Sequence, residues 1–399
     1  MKEKEFIVLF ALLTSLTALS IDAVLPAFPA MAQTLAIVNF QDTQLIISAL
    51  VLGMAGGELV FGPLSDSIGR KAAILLGIAI YLLGCLLALS ADSLSALLLG
   101  RVVQGIGIAG PKIASRALIR DLYKGAAMAR IMSFVMMIFI LVPMLAPAFG
   151  QFILTFGDWH LIFVAFVLQA LIASVWLIIR QPETLPKEQR IAFSLGVIYT
   201  NARWILQHRQ VMSYTLTAGM VFGSMMLYLS TAQSIFQDLY QTGRLFPWYF
   251  ALLSLGAGVA GLVNGKLVVR LGMQRLTRAA LIAMVLISMV LLIVTRWHQG
   301  VPPLGIFLGL GVAMFFCKGL IFGNINALAM EHLGAMAGIG ASIIASVSSL
   351  VAIGLSYGVG RFYSDSLYPL GCGFLISASV ALCLVEYAAR LARENTSIR

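Results

Sequence analysis

The sequence predicts an all-α integral membrane protein: twelve transmembrane helices in two six-helix bundles, with the N- and C-termini cytoplasmic. Three observations carry that expectation. Of 399 residues, 60% are hydrophobic and 11% are charged, with a mean hydropathy of +0.98, whereas a soluble domain needs about 25% charged residues to wet its surface. Apolar runs of about 20 residues, enough to cross roughly 30 Å of hydrocarbon, recur from end to end. The basic residues gather in short connections on one side of those runs, as membrane orientation requires.

The first helix is expected at 6–30. Lys2 and Lys4 precede an apolar run from Phe6, and Ala30 and Ala32 imitate a secretory cleavage site. The run is longer than the roughly 7–15 residues of a signal peptide and many spans follow, so it is expected to stay uncleaved. Charged or Gly/Pro-rich breaks then delimit spans at 43–64, 72–91, 95–118, 129–154 and 160–180. The most polar stretch, Gln181 to Arg190, opens a cytoplasmic linker that continues through His208 and Arg209. Beyond it come 211–236, 247–269, 277–296, 302–327, 336–360 and 368–390. The expected bundles are thus 1–180 and 210–399, joined by a linker at 181–209. Helix is required because backbone amides facing lipid must bond within their own segment. A membrane barrel would show ten-residue alternation instead.

Charge placement orients these spans. Of 26 basic residues, Arg101, Lys112 and Lys318 fall inside spans and Arg244, Arg296 and Arg361 fall outside, which leaves 20 on the side of the termini. A net charge of +10 distributed this way is a topology signal and implies no nucleic acid partner. An internal repeat supports two halves: Gly62, Leu64, Ile68 and Gly69 recur in register as Gly265, Leu267, Leu271 and Gly272, about half a chain apart.

The segment Gly62-Pro-Leu-Ser-Asp66-Ser-Ile-Gly69-Arg70-Lys71 resembles the G-x-L-x-D-x-x-G-R-K loop of the major facilitator superfamily. Leu97, Arg101, Gln104, Gly105 and Gly107 are similar to its helix-four motif. Ala146-Pro147-Ala-Phe-Gly150 is similar to its G-P-x-x-G-G antiporter motif, with alanine for the first glycine and Gln151 for the last. Three further stretches resemble the bicyclomycin-resistance (Bcr/CflA) type of drug:proton antiporter: Ile21-Asp22-x2-Leu25-Pro26-Ala27-x-Pro29, Arg116-Ala117-x2-Arg120-Asp121-Leu122, and Ala337-Gly338-x-Gly340-Ala341-Ser342. The resemblance covers essentially the whole chain. It implies export by alternating access, a cavity lined by helices one, four, seven and ten, and a gating role for Asp66 on the cytoplasmic side. Topological anchoring is the plainer account of the loop, and helix packing the plainer account of the helix-five motif and of the Gly53, Gly56 and Gly57 cluster.

Five charged residues lie well inside spans, where each costs at least about 2.5–3.5 kcal/mol on insertion scales. Asp22 and Arg101 both lie roughly 10 Å below the outer face and are placed to meet. Glu58, Lys112 and Lys318 lie in the cytoplasmic half. Asp22 is the expected proton carrier with Arg101 as its modulator, and Lys112, Lys318 and Glu58 are the expected substrate-cavity residues. Glu58 is alternatively a structural partner of Lys112, and Lys318 alternatively reaches the inner headgroups.

Chemistry on covalent bonds is not expected. The histidines (His160, His208, His298, His332) sit at helix ends or in loops, with no HExxH. Cys85, Cys317, Cys372 and Cys383 show neither disulfide nor zinc spacing. The expected protein is a monomeric inner-membrane exporter of drugs or small metabolites that uses protons, sits in lipid, and needs no cofactor or metal. Export of an endogenous anion such as a carboxylate siderophore is the rival reading, and a non-transporting membrane sensor is a rival of another class.

Overall fold

A computed structural model describes residues 3–123, 142–331, 333, 337–363 and 365–397. These residues form helices and connections, with no strand among them. Eleven helical segments are long and apolar enough to cross a membrane. The expected fifth span, 129–154, is covered only by the apolar helix Val142–Ile153. Its residues 129–141, with Met136 and Met137, lie outside the described residues, as does His332. The chain resolves into two compact units, Met1–Ile198 and Tyr199–Arg399.

The first unit contains α1 (Glu3–Asp22), α2 (Phe28–Thr34), α3 (Gln44–Ile68), α4 (Arg70–Leu89), α5 (Leu94–Leu122), α6 (Val142–Ile153) and α7 (His160–Arg180). The expected continuous helix at 6–30 is corrected here. Regular α-helix stops at Asp22, a 3-10 turn occupies Leu25–Ala27, and helix resumes at Phe28. Pro26 explains the break: it has no N–H for the carbonyl of Asp22 four residues earlier, and its ring clashes with that carbonyl. The span nevertheless continues to Thr34. α5 is the hub of this unit, packing on α1, α3 and α4. Where α5 crosses α3 the backbones nearly touch: a Cβ on Gly105 would lie 2.0 Å from the Leu50 carbonyl oxygen. Small residues permit that approach.

The expected linker at 181–209 is not irregular throughout, since α8 (Leu195–Gln207) lies within it. The second unit continues with α9 (Arg209–Gln233), α10 (Phe246–Leu271), α11 (Met273–Trp297), α12 (Leu304–Met330), α13 (Ala337–Gly360) and α14 (Tyr368–Ser397). α9 is its hub, packing on α12, α13 and α14 and burying Tyr214 and Tyr228. Residues such as Leu262 and Val269 are left 81% and 84% exposed on α10, a surface suited to lipid rather than water.

The sequence repeat has a backbone counterpart. Gly69 turns α3 into α4 at φ 107°, ψ 157°, and Gly272 turns α10 into α11 at φ 78°, ψ 154°. That conformation is essentially restricted to glycine.

Candidate functional site

Asp22 occupies the last position of α1 because Pro26 ends the helix there. It is 3% exposed, and its Oδ1 is buried without a hydrogen-bond partner. An unpartnered carboxylate in the interior is costly, and a bound proton removes the charge that makes it so. The neighbouring backbone is held by α6, where Ala146 and Pro147 are also buried. A Cβ on Gly150 would sit 1.9 Å from the carbonyl oxygen of Ala23, so the motif glycine is what lets α6 close on the break beside Asp22.

Arg101 is fully buried on α5 and does not pair with Asp22, although depth alone placed them to meet. Its guanidinium donates instead to the Ser20 carbonyl at 2.6 Å, the Ile46 carbonyl at 3.1 Å and Gln104 Oε1 at 2.7 Å. The last carbonyls of a helix lack intrahelical donors and carry partial negative charge, so the end of α1 offers an acceptor to this cation. Three charge-assisted hydrogen bonds, each contributing about 1.5–3 kcal/mol, outweigh the cost of burying the guanidinium. Around it, Gln104 Nε2 donates to Cys85 Sγ at 3.2 Å, and the Ser20 and Tyr81 hydroxyls lie 2.8 Å apart. Arg101 therefore fixes the backbone two residues before Asp22 rather than its carboxyl.

Deeper along the same helix pair, Lys112 Nζ meets Glu58 Oε1 at 2.5 Å and approaches Met54 Sδ at 3.5 Å. Glu58 is wholly buried, and its second oxygen has no hydrogen-bond partner. Arg101 and Lys112 are eleven residues, or about 17 Å, apart on α5. Each reaches α3, at Ile46 and Glu58, so the two polar contacts bracket this helix interface.

Lys318 on α12 differs. It is 5% exposed, and its Nζ has no hydrogen-bond partner. The ammonium lies 4.0 Å from the ring centre of Phe374 and 5.2 Å from that of Phe315. Cation–π attraction of about 2 kcal/mol for a desolvated pair falls short of the roughly 2.5–3.5 kcal/mol cost of a charge at that depth. In this structure its side chain is buried against aromatic rings rather than extended to headgroups.

The loop between α3 and α4 is a dense charge network. Gly62 lies in the last turns of α3, and Arg70 pairs with Asp66 four residues earlier and with Asp121 at 3.0 Å, while donating to Ser65 Oγ at 2.9 Å. Sequence reasoning missed Glu183, in the polar stretch after α7. Its carboxylate accepts from the Arg70 and Lys71 amides at 2.9 and 3.1 Å, capping the N-terminus of α4. Lys71 Nζ donates to the Ile178 carbonyl at 2.9 Å, and the Ile191 amide to the Asp66 carbonyl at 3.1 Å. The available signal was an acid in a basic segment directly following a span.

The family model described as Major Facilitator Superfamily matches residues 10–356. The chain is 30% identical over 384 residues to a bicyclomycin resistance protein homolog of Haemophilus influenzae, covering 96% of this chain and 95% of that protein. It is 23% identical to multidrug resistance protein D of Escherichia coli over the whole of both chains. Among solved structures, it resembles the human organic anion transporter MFSD10 with a TM-score of 0.71 at 19% identity, over 97% of this chain and 100% of that one.

Proposed function

The chain belongs to the Major Facilitator Superfamily, and from that premise we propose that it is a proton-coupled exporter of drugs or small metabolites. It is a multi-pass membrane transporter, not an enzyme. In the proposal it works as a monomer in the inner membrane, by alternating access, with twelve spans and both termini cytoplasmic. Eleven described spans and the apolar helix α6 support that count. The names of the relatives, for resistance to bicyclomycin and to multiple drugs, support the outward direction.

Asp22 carries the proton in this proposal. The observation behind it is a buried carboxyl oxygen without a partner, set at a break in the first span and closed over by Gly150. Protonation and deprotonation change the cost of burying that group, so each protonation state favours a different conformation. Arg101 acts by holding the broken backbone in place. Asp66, Arg70 and Asp121 form the cytoplasmic gate element, with Gly69 supplying the turn and Lys71 the anchor to Ile178.

Asp22→Asn tests the reading. It keeps the volume and removes the titration, so uphill transport under an imposed pH gradient in proteoliposomes should vanish while substrate binding persists. Undiminished accumulation by this variant would move the proton site elsewhere, with Glu58 next in line.

A further inference from the structure

Lys112 and Lys318 are alike in sequence, each a lone lysine in the cytoplasmic half of a span, and the structure separates them. Lys112 has Glu58 as counter-ion. Lys318 has none: among the acids of the second unit whose side chains are described, Asp238, Glu331 and Asp365 lie at or beyond helix ends. Glu386, twelve residues past Phe374 on α14, is engaged by Arg278 at 2.6 Å. The ammonium of Lys318 is buried, carries no hydrogen bond, and sits against Phe315 one turn earlier on α12 and Phe374 on α14.

We propose that Lys318, Phe315 and Phe374 form the recognition point for an aromatic anion, so that the transported compounds include aromatic carboxylates. A carboxylate supplies what the site lacks, an anionic acceptor for the unused ammonium protons, and charge-assisted hydrogen bonds of this kind are the strong ones. An aromatic body supplies what the rings favour, edge or offset contact with Phe315 and Phe374. The four-bond stem of lysine lets the ammonium leave the ring face for an incoming carboxylate without moving the backbone. A neutral compound of the same shape gains the ring contacts and leaves the ammonium unpaired. A cation of the same shape is repelled. Selection at this site therefore acts on charge first and on shape second. The assignment rests on the export reading for its consequence, but the site is testable without transport.

The experiment is equilibrium binding by calorimetry to the purified full chain in detergent, with 2-naphthoate and its uncharged isostere 2-naphthamide as probes. The parent protein should bind naphthoate about tenfold or more tightly than naphthamide, the size of one charge-assisted hydrogen bond. Lys318→Met, close in shape and uncharged, should bring the two affinities together, while Lys318→Arg keeps the preference. Phe374→Leu should weaken both probes by a similar factor. A parent with no preference for naphthoate, or a Lys318→Met variant with an unchanged preference, overturns the proposal. If Lys318→Met does not purify as a folded protein, the parent's preference and its retention in Lys318→Arg decide. Gradient-driven export of 2-naphthoate and of a panel of uncharged and cationic drugs, measured on the same preparations in proteoliposomes, separates the two readings, with export of any of these compounds counted as export. Export without a naphthoate preference breaks this site and leaves export standing. A naphthoate preference without export breaks the export reading and leaves the site standing.

Discussion

In the first unit Arg101 donates to three oxygens and Lys112 holds Glu58 at 2.5 Å, whereas in the second unit Lys318 faces two phenylalanine rings and no acceptor. The same contrast appears in the repeated loops. Gly69 and Gly272 make the same turn, but Asp66 in the first loop corresponds in the repeat to Val269, and no counterpart of the Arg70, Asp121 and Glu183 network is seen among the described residues of the second. The turn is a property of the shared fold, needing only a glycine. The charges are added to one copy, and a buried charge that costs several kcal/mol is retained where it serves a switch or a ligand. Within the spans, Arg101 and Lys112 of the first half are thus committed to internal acceptors, whereas Lys318 of the second is buried without one.

The contrast is broken most directly by deleting one charge from each half. Glu58→Gln strands Lys112 beside a neutral amide, and the thermal stability of the purified protein should fall by an amount on the order of 3 kcal/mol. Lys318→Met removes a charge that has no partner, so its melting temperature should rise or stay level. Equal losses for both variants would mean that Lys318 has a structural partner after all.

A smaller difference is expected at the twin turns. Gly69→Ala meets both a glycine-only backbone and Glu183 Oε2, 2.4 Å from the new Cβ, while Gly272→Ala meets the backbone restriction with nothing within 4 Å. Losses of about 2–3 and about 1 kcal/mol respectively are expected in denaturation of the two variants. A Gly272→Ala loss as large as that of Gly69→Ala would show that the Glu183 contact adds nothing. The smallest effect belongs to Glu183→Gln, which keeps the cap geometry but loses the charge at the α4 N-terminus, a cost of about 0.5 kcal/mol. It should also speed proteolysis within 184–191, since the linker is then held mainly through the Ile191 amide. Cleavage at the parent rate would assign the hold to that backbone contact alone.

Composition, apolar length and basic-residue placement determined on their own that this chain crosses a membrane repeatedly as helices, because hydrocarbon tolerates no other open backbone. The repeat around Gly62 and Gly265 was legible for the same reason that it is structural: one backbone turn demands glycine wherever it occurs. The sequence also marked Asp22, Glu58, Arg101, Lys112 and Lys318 as the costly residues, since cost depends on depth and depth follows from counting. Partners do not follow from counting. Arg101 was placed to meet Asp22 by depth, and the structure gives it to Ser20 and Ile46: Pro26 opens α1 and leaves the helix-end carbonyl of Ser20 as an acceptor, and the packing of α5 on α3 brings up that of Ile46. Glu183 reaches Arg70 across 113 residues, a pairing that only the packing of the linker on the loop creates. Nor does spacing distinguish Lys112 from Lys318. Whether a buried ammonium finds a carboxylate is decided by the facing helix, and only the tertiary structure sets Glu58 before one lysine and Phe374 before the other.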